Sequence, residues 1–256
     1  MKLSAINRSA LGRLCLSVAL ALAMPAIARA TTVSPMVIDL QSSGRGVVAN
    51  ISVNNTGDKP APIEVVLKAL DPSSTGLAPG TASTEDLLVM PPTALIPPGQ
   101  TQTFRVQWLG DPIPAASKHF YVSINQLPVK LPEGQSAVQV VYNIQVLVSV
   151  GATNGKAQLA IQSAAIADRE GKPAPSITVS NSGTTYGYLS QHKIRLVETD
   201  ATGKKLFDRT ISGNDFQQLV GYGLIATGQT RTMVLPIELP TRNGTLTATL
   251  LDEHGQ

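Results

Sequence analysis

Over 137–150 the chain reads A-V-Q-V-V-Y-N-I-Q-V-L-V-S-V, and Val138, Val140, Tyr142, Ile144, Val146 and Val148 fall on every second position. No glycine, proline or charge interrupts the run. Side chains alternate between the two faces of a strand, so the pattern predicts one long strand with a wholly apolar face. At about 14 residues it is over twice the usual strand length. Such a strand is ordinarily the last of a sandwich, with one face in the core. Its length, and the bulk of Val141 and Leu147 on the other face, point further, to a partner that pairs with it, because unpaired strand edges are templates for another chain.

Shorter periodic runs fill the rest. They predict strands over 33–40, 46–54, 62–69, 87–90, 102–109 and 119–127 before the long run. After it come 157–166, 176–179, 187–198, 206–211, 219–225, 231–235 and 245–251. Asn55-Thr56-Gly57-Asp58 and Pro98-Gly99 carry turn chemistry, 201–204 reads as a hairpin loop, and the Pro/Gly/Ser/Thr-rich 71–86 as a long loop. Gly151-Ala152-Thr153-Asn154-Gly155 reads as a hinge.

The two halves echo each other. Ile51-Ser-Val-Asn-Asn-Thr-Gly57 matches Ile177-Thr-Val-Ser-Asn-Ser-Gly183 at an offset of 126 residues. Leu95-Ile-Pro-Pro-Gly-Gln-Thr-Gln-Thr103 matches Leu224-Ile-Ala-Thr-Gly-Gln-Thr-Arg-Thr232 at 129. Sandwich turns can converge on similar residues; two matches in the same order at nearly one spacing favour two copies of one β-sandwich. The expected organisation is all-β, with immunoglobulin-like sandwiches over 31–150 and 157–256 joined by a hinge at 151–156.

The first 30 residues change the global reading. Lys2, Arg8 and Arg13 precede an apolar stretch, and Ala28-Arg29-Ala30 places small residues at a cleavage site. This is the pattern of a bacterial secretory signal peptide over 1–30, leading to the periplasm or beyond. Cys15, the only cysteine, leaves with it. The exported chain therefore has no disulfide and must be stable through its core alone. Of the 20 Lys and Arg, four (Lys2, Arg8, Arg13, Arg29) lie in the leader, leaving 16 against 17 Asp and Glu, a formal −1. The basic excess that nucleic-acid binding needs is gone, and no later apolar run reaches membrane length.

Catalytic patterns are missing. His119, His192 and His254 lack partners at ligand spacing, so neither metal nor cofactor is expected. There is no nucleophile elbow, Walker loop or dinucleotide fingerprint. Asp39, Glu64, Glu85 and Asp86 form no convincing acid/base pair in sequence. The chain reads as a non-enzyme.

The segments Ile51–Gly57, Met90-Pro-Pro, Leu95-Ile-Pro-Pro-Gly99, Phe104-Arg-Val106, Phe120-Tyr-Val-Ser-Ile-Asn-Gln-Leu-Pro128 and the alternating run after it resemble, in order, the periplasmic pilus chaperones of chaperone–usher pathways. The resemblance implies two sandwiches at an angle with a cleft between them. It also implies donor-strand complementation, in which the chaperone's strand fills the groove of an incomplete pilus subunit until an outer-membrane usher exchanges it. The donor set is then Val138, Val140, Tyr142, Ile144 and Val146, the partners are pilus subunits and an usher, and self-association through an unoccupied donor strand is a further expectation. The short loop 128–136 resembles the short-loop chaperones. Many members hold the subunit's terminal carboxylate with an Arg and a Lys. Here those places read Met36-Val37 and Leu147, as in a divergent, archaic-type member. Arg105, Lys68 and Lys118 are the substitute anchor candidates, Arg105 first. The residues leave open a second class, a secreted two-domain pilus subunit or adhesin.

Overall fold

A computed structural model describes residues 31–80, 84–128 and 141–251. The leader expected over 1–30, and Val138 and Val140 of the alternating run, lie outside the described residues.

The first half contributes β1 (Thr31–Ser34), β2 (Val37–Gln41), β3 (Val48–Asn55), β4 (Ala61–Ser73), β5 (Gly76–Pro79), β6 (Leu87–Met90), β7 (Thr93–Ile96), β8 (Thr101–Trp108), β9 (Lys118–Gln126) and β10 (Asn143–Gly151). One sheet runs β1-β3-β8-β6; the other runs β2-β10-β9-β4-β5, with β7 also on β4. Val53, Phe104 and Val106 from the first sheet meet Ile38, Phe120, Val122, Val146 and Val148 from the second in a closed apolar core. The fold is the all-β sandwich that the alternating runs imply.

The second half contributes β11 (Leu159–Arg169), β12 (Lys172–Asn181), β13 (Gly187–Tyr188), β14 (Lys193–Thr199), β15 (Lys205–Ile211), helix α1 (Gly213–Val220), β16 (Leu224–Ile225), β17 (Thr230–Val234) and β18 (Thr245–Leu251). β11-β12-β17 and β15-β14-β18 are its larger sheets. Ile177, Val179, Leu189, Ile194, Leu196 and Phe216 form a second core.

The echo in sequence is an echo in hydrogen bonds. The Asn55 side-chain amide donates to Lys59 O and Ile96 O at 2.8 and 2.9 Å, and its Oδ1 accepts from Gly57 N at 3.0 Å. The Asn181 amide donates to Thr185 O and Ile225 O at 2.8 and 3.0 Å, and its Oδ1 accepts from Gly183 N at 2.9 Å. In each half this ties the Asn-x-Gly turn to the other matched segment.

Several expectations are corrected. The run 33–40 is two strands in two sheets, broken at Pro35, which has no N–H to continue a ladder. The expected loop 71–86 contains the end of β4 and a hairpin to β5. Thr93–Ile96 is an additional strand. The run 187–198 is interrupted by a 3-10 turn at Leu189–Gln191. The strand expected over 219–225 is the end of α1, a loop and the two-residue β16. The Ser212 hydroxyl caps α1, accepting from Asp215 N at 3.1 Å and donating to the Asp215 carboxylate at 2.8 Å. Finally, among the described residues of the long run the strand covers Asn143–Gly151, and Val141 and Tyr142 are outside it.

Candidate functional site

The two sandwiches meet over the outer face of the β2-β10-β9-β4 sheet. Register places Lys68, Tyr121, Leu147 and Val37 in one row across the four strands, and Leu70, His119, Ser149 and Asp39 in the next. Leu70 and Leu147 are buried there against Tyr188, Leu224 and Ala226 of the second half, with Tyr121, Tyr186 and Tyr222 around them.

Asp39 holds the junction. Its Oδ1 accepts from the hydroxyls of Tyr186 and Tyr188, both at 2.8 Å. Tyr188 Oη also lies 3.2 Å from Ser149 Oγ, which is 2.9 Å from His119 Nδ1; His119 Nε2 is 3.2 Å from Ser117 Oγ. A neutral imidazole, donating on one nitrogen and accepting on the other, satisfies both serines. Burial pushes the His119 pKa down to about 4. Burial first, and then the Asp39 charge, push both tyrosines well above the usual phenol range. The rings pack edge to face, His119 to Tyr186 at 5.3 Å and Tyr186 to Tyr188 at 5.5 Å, and continue to Tyr222 at 6.1 Å.

The main chain also crosses the junction. The hairpin between β4 and β5 reaches the second sandwich, where Thr232 N donates to Ser74 O at 3.1 Å and the Gln229 side-chain amide donates to Ser73 O. Between hairpin, sheet and the 220–224 loop lies a cleft of about 310 Å³. Met36, Leu77, Tyr121, Leu147 and Tyr222 line it, and among the described residues Arg231 of β17 is its only ionised lining residue. Arg231 Nη1 donates to Leu224 O at 3.0 Å, while its buried Nε has no hydrogen-bond partner among the described residues. Among the described residues Arg231 makes no ion pair. Burial lowers its pKa from the usual arginine value, opposed by Tyr121. The loop over the cleft depends on Gly223: its φ is +64°, and a Cβ there would stand 2.6 Å from the Phe216 ring.

One strand edge runs into this cleft. β9 covers β10 from Asn143 to Val150, but β2 covers it only from Leu147 to Gly151. Gln126 N donates to Tyr142 O at 2.8 Å on the β9 side, and Leu147 N donates to Met36 O at 3.0 Å on the β2 side. By strand alternation, Asn143 and Gln145 therefore turn their N–H and C=O toward β2's side, upstream of where β2 begins. Those groups form an open edge.

The residues expected to act fall in different places. Ile144 is half-buried against the first core and Tyr142 half-exposed just before β10. Val146 is 0% exposed and belongs to the chain's own core, so its side chain is not offered at the surface. Arg105 is exposed on β8, in the β1-β3-β8-β6 sheet opposite the cleft face. Lys118 starts β9 and lines a smaller cavity of about 190 Å³ on the other side of the junction. Lys68 shares a row with Tyr121, which lines the cleft. Arg231 was not singled out in sequence. Its one signal is its place in the second echo, where Arg231 stands for Gln102.

A pair of β-sandwiches with an open strand edge leading into the cleft between them is an architecture suited to pairing with an extended segment of another chain. Residues 31–149 match the family described as pili and flagellar-assembly chaperone, PapD N-terminal domain. Among solved structures, the class 5 fimbriae chaperone CfaA is similar at 14% identity, over 86% of this chain and 98% of that one, with a TM-score of 0.49. A Salmonella enterica SafA pilin complex with the SafB chaperone is similar at 16% identity, over 89% and 92%, with a TM-score of 0.49. The CsuC–CsuE chaperone–tip subunit complex from archaic Csu pili of Acinetobacter baumannii is similar at 12%, over 80% and 89%, with a TM-score of 0.46. No curated protein sequence matches the chain.

Proposed function

We propose that this chain is a periplasmic chaperone that holds pilus subunits by donor-strand complementation and delivers them to an outer-membrane usher. One observation carries the reading beyond the family: β10 is covered on one side only downstream of Leu147, leaving the Asn143 and Gln145 main-chain groups open. A subunit strand added there would gain main-chain hydrogen bonds with little demand on sequence. Val138, Val140, Tyr142 and Ile144 would supply alternate apolar side chains to its open groove, each worth roughly 1.5–3 kcal/mol when fully buried. Residues 31–150 and 157–256 act as two domains joined at 151–156. Export through a cleaved leader over 1–30 places the protein in the periplasm. With the edge unoccupied, two copies would pair through it. A pilus subunit would lack its last strand, whereas β10 completes its own sandwich.

The test is co-expression with a pilus subunit encoded beside it. The subunit is expected to be soluble only in a complex with this chain. Val140→Asp with Ile144→Asp should abolish the complex while the chain stays folded. Retention of the complex by a folded double variant would show the donor assignment to be wrong.

A further inference from the structure

Alternation alone does not fix where a partner strand comes to rest along β10. A slip of two residues keeps every side chain on the same face, so the apolar face of the run accepts several registers. Side chains on the opposite face break that tie. At the open stretch these are Asn143 and Gln145, both exposed.

Neither stands alone. Register sets Asn143 beside Asn125 and Gln145 beside Ser123, and the two rows continue to Glu64 and Val66 on β4. Because the main-chain groups of Asn143 and Gln145 turn away from β9, these are the close, non-hydrogen-bonded pairs of that ladder, with Cα atoms about 4.5 Å apart. The Asn143 amide uses the proximity: its Nδ2 donates to Asn125 Oδ1 at 2.6 Å. Donation inward leaves Asn143 Oδ1 to accept from the outer side. In the second row Ser123 is 0% exposed, and its Oγ has no hydrogen-bond partner among the described residues. A buried hydroxyl left in this way is destabilising until a neighbour bonds it, and Gln145 is the side chain opposite. Glu64 is the only ionisable residue of the two rows and lies two strands from the edge, about 10 Å away.

We propose that Asn143 and Gln145 select the register of the strand added to β10, each taking an uncharged amide or hydroxyl side chain opposite it. This deepens the chaperone reading and rests on it. Amides stacked across neighbouring strands form ladders in which each donates to one side and accepts from the other. Asn125 and Asn143 are two rungs, and the partner's residue is the next: its N–H or O–H donates to Asn143 Oδ1. In the second row Gln145 bonds inward to Ser123 Oγ and outward to the partner. An apolar residue opposite Asn143 would cover Oδ1 without a donor. A charged one would exchange water for two rows with no counter-ion at the edge. The apolar face of the added strand is thus read for burial, and its other face for position.

The experiment uses the pilus subunit encoded beside this chain, purified as the complex. Single cysteines along the subunit strand, each combined with Asn143→Cys or Gln145→Cys, identify the opposed residues by disulfide formation. Both native residues should be Ser, Thr, Asn or Gln; an apolar or charged residue at either position overturns the proposal. The half-life of the complex is followed by exchange of the subunit onto an excess of labelled free chain. Asn143→Ala should shorten it about fivefold, the size of one neutral hydrogen bond. Alanine at the opposed subunit residue should do the same, and the two together should lose no more than either alone. Multiplying losses, or an unchanged half-life in Asn143→Ala, overturn the proposal. Melting of the free variant by circular dichroism, expected at the normal midpoint because Asn143 is exposed, separates a binding loss from a folding loss. If complexes form while these tests fail, the register rule is wrong and the chaperone reading stands. If no complex forms, both fail.

Discussion

Asn55 and Asn181, 126 positions apart, make the same three side-chain hydrogen bonds in their two sandwiches, each donating to two main-chain carbonyls and accepting from the glycine two residues on. Both are buried. Replacing either by alanine leaves the Ile96 or Ile225 carbonyl without this donor. Each substitution should cost about 2–4 kcal/mol, from orphaned buried groups at about 1–3 kcal/mol each. The sole tryptophan, Trp108, lies in the first sandwich. Urea unfolding followed by its fluorescence should shift for Asn55→Ala. For Asn181→Ala the shift should be larger by far-ultraviolet circular dichroism than by fluorescence. Equal shifts by both probes in both variants would mean that the two halves unfold as one unit.

The Asp39 carboxylate is expected to couple the sandwiches. Tyr186→Phe or Tyr188→Phe alone leaves one hydroxyl on Asp39. The double variant leaves the carboxylate without either. A double-mutant cycle on unfolding free energy should show the pair costing more than the sum of the singles, by about 1 kcal/mol or more. Amides around Gly151 should exchange faster in the double variant. Additive singles with unchanged exchange would show that Asp39 does not bind the halves together.

The buried His119 makes stability fall in mild acid. Its folded pKa is near 4 against 6.5 unfolded. The unfolded chain therefore binds the extra proton in that window, and stability is lost as pH drops from about 6.5 toward 4. The contribution is at most about 3 kcal/mol, since each tenfold change in proton affinity between the two states is worth about 1.4 kcal/mol. The groups facing the ring are Ser117, Ser149 and Tyr186, with Lys118 and Asp71 at the neighbouring cavity. His119→Gln should flatten the difference in urea midpoint between pH 7 and pH 4.5. An unchanged difference would place the acid sensitivity elsewhere.

Proline separates the open edge from the folded one. Gln145→Pro removes an N–H that faces the uncovered side of β10 and leaves the ladder to β9 in place. Val146→Pro removes one that bonds β9. The first should unfold near the normal midpoint yet lose subunit capture in co-expression. The second should be destabilised by about 3 kcal/mol or more. Capture by a folded Gln145→Pro chain would argue against edge pairing at this position.

The sequence made the sandwich class visible because alternation over 102–109 or 119–127 follows directly from a half-buried strand. The echo of Ile51–Gly57 in Ile177–Gly183 was legible for a related reason: the Asn-x-Gly geometry needs those residue types in both copies. What escaped notice was local chemistry inside apolar runs. Pro35 divides one run between two sheets, and Ser212 with Asp215 starts a helix whose eight residues are too few to show a period. The β4–β5 hairpin hid in a stretch rich in Gly and Ser because its pairing is by main chain. The cleft was harder still. Leu147 and Val37 could be seen to lack charge, but that they are register partners, and that Arg231 of the other half lines the same cleft as Leu147, depends on how two cores dock. Val146 shows the opposite limit: its place in the alternation marked it for a partner, while the core of its own sandwich already encloses it.

The point where β2 stops covering β10 divides a single strand into a permanent part and a vacant part. Val146, Val148 and Val150 keep their places in the core whether or not the upstream edge is occupied. Under the proposed function, filling and emptying that edge would be uncoupled from melting of the sandwich. A chaperone built this way would release its cargo without passing through a denatured state of its own.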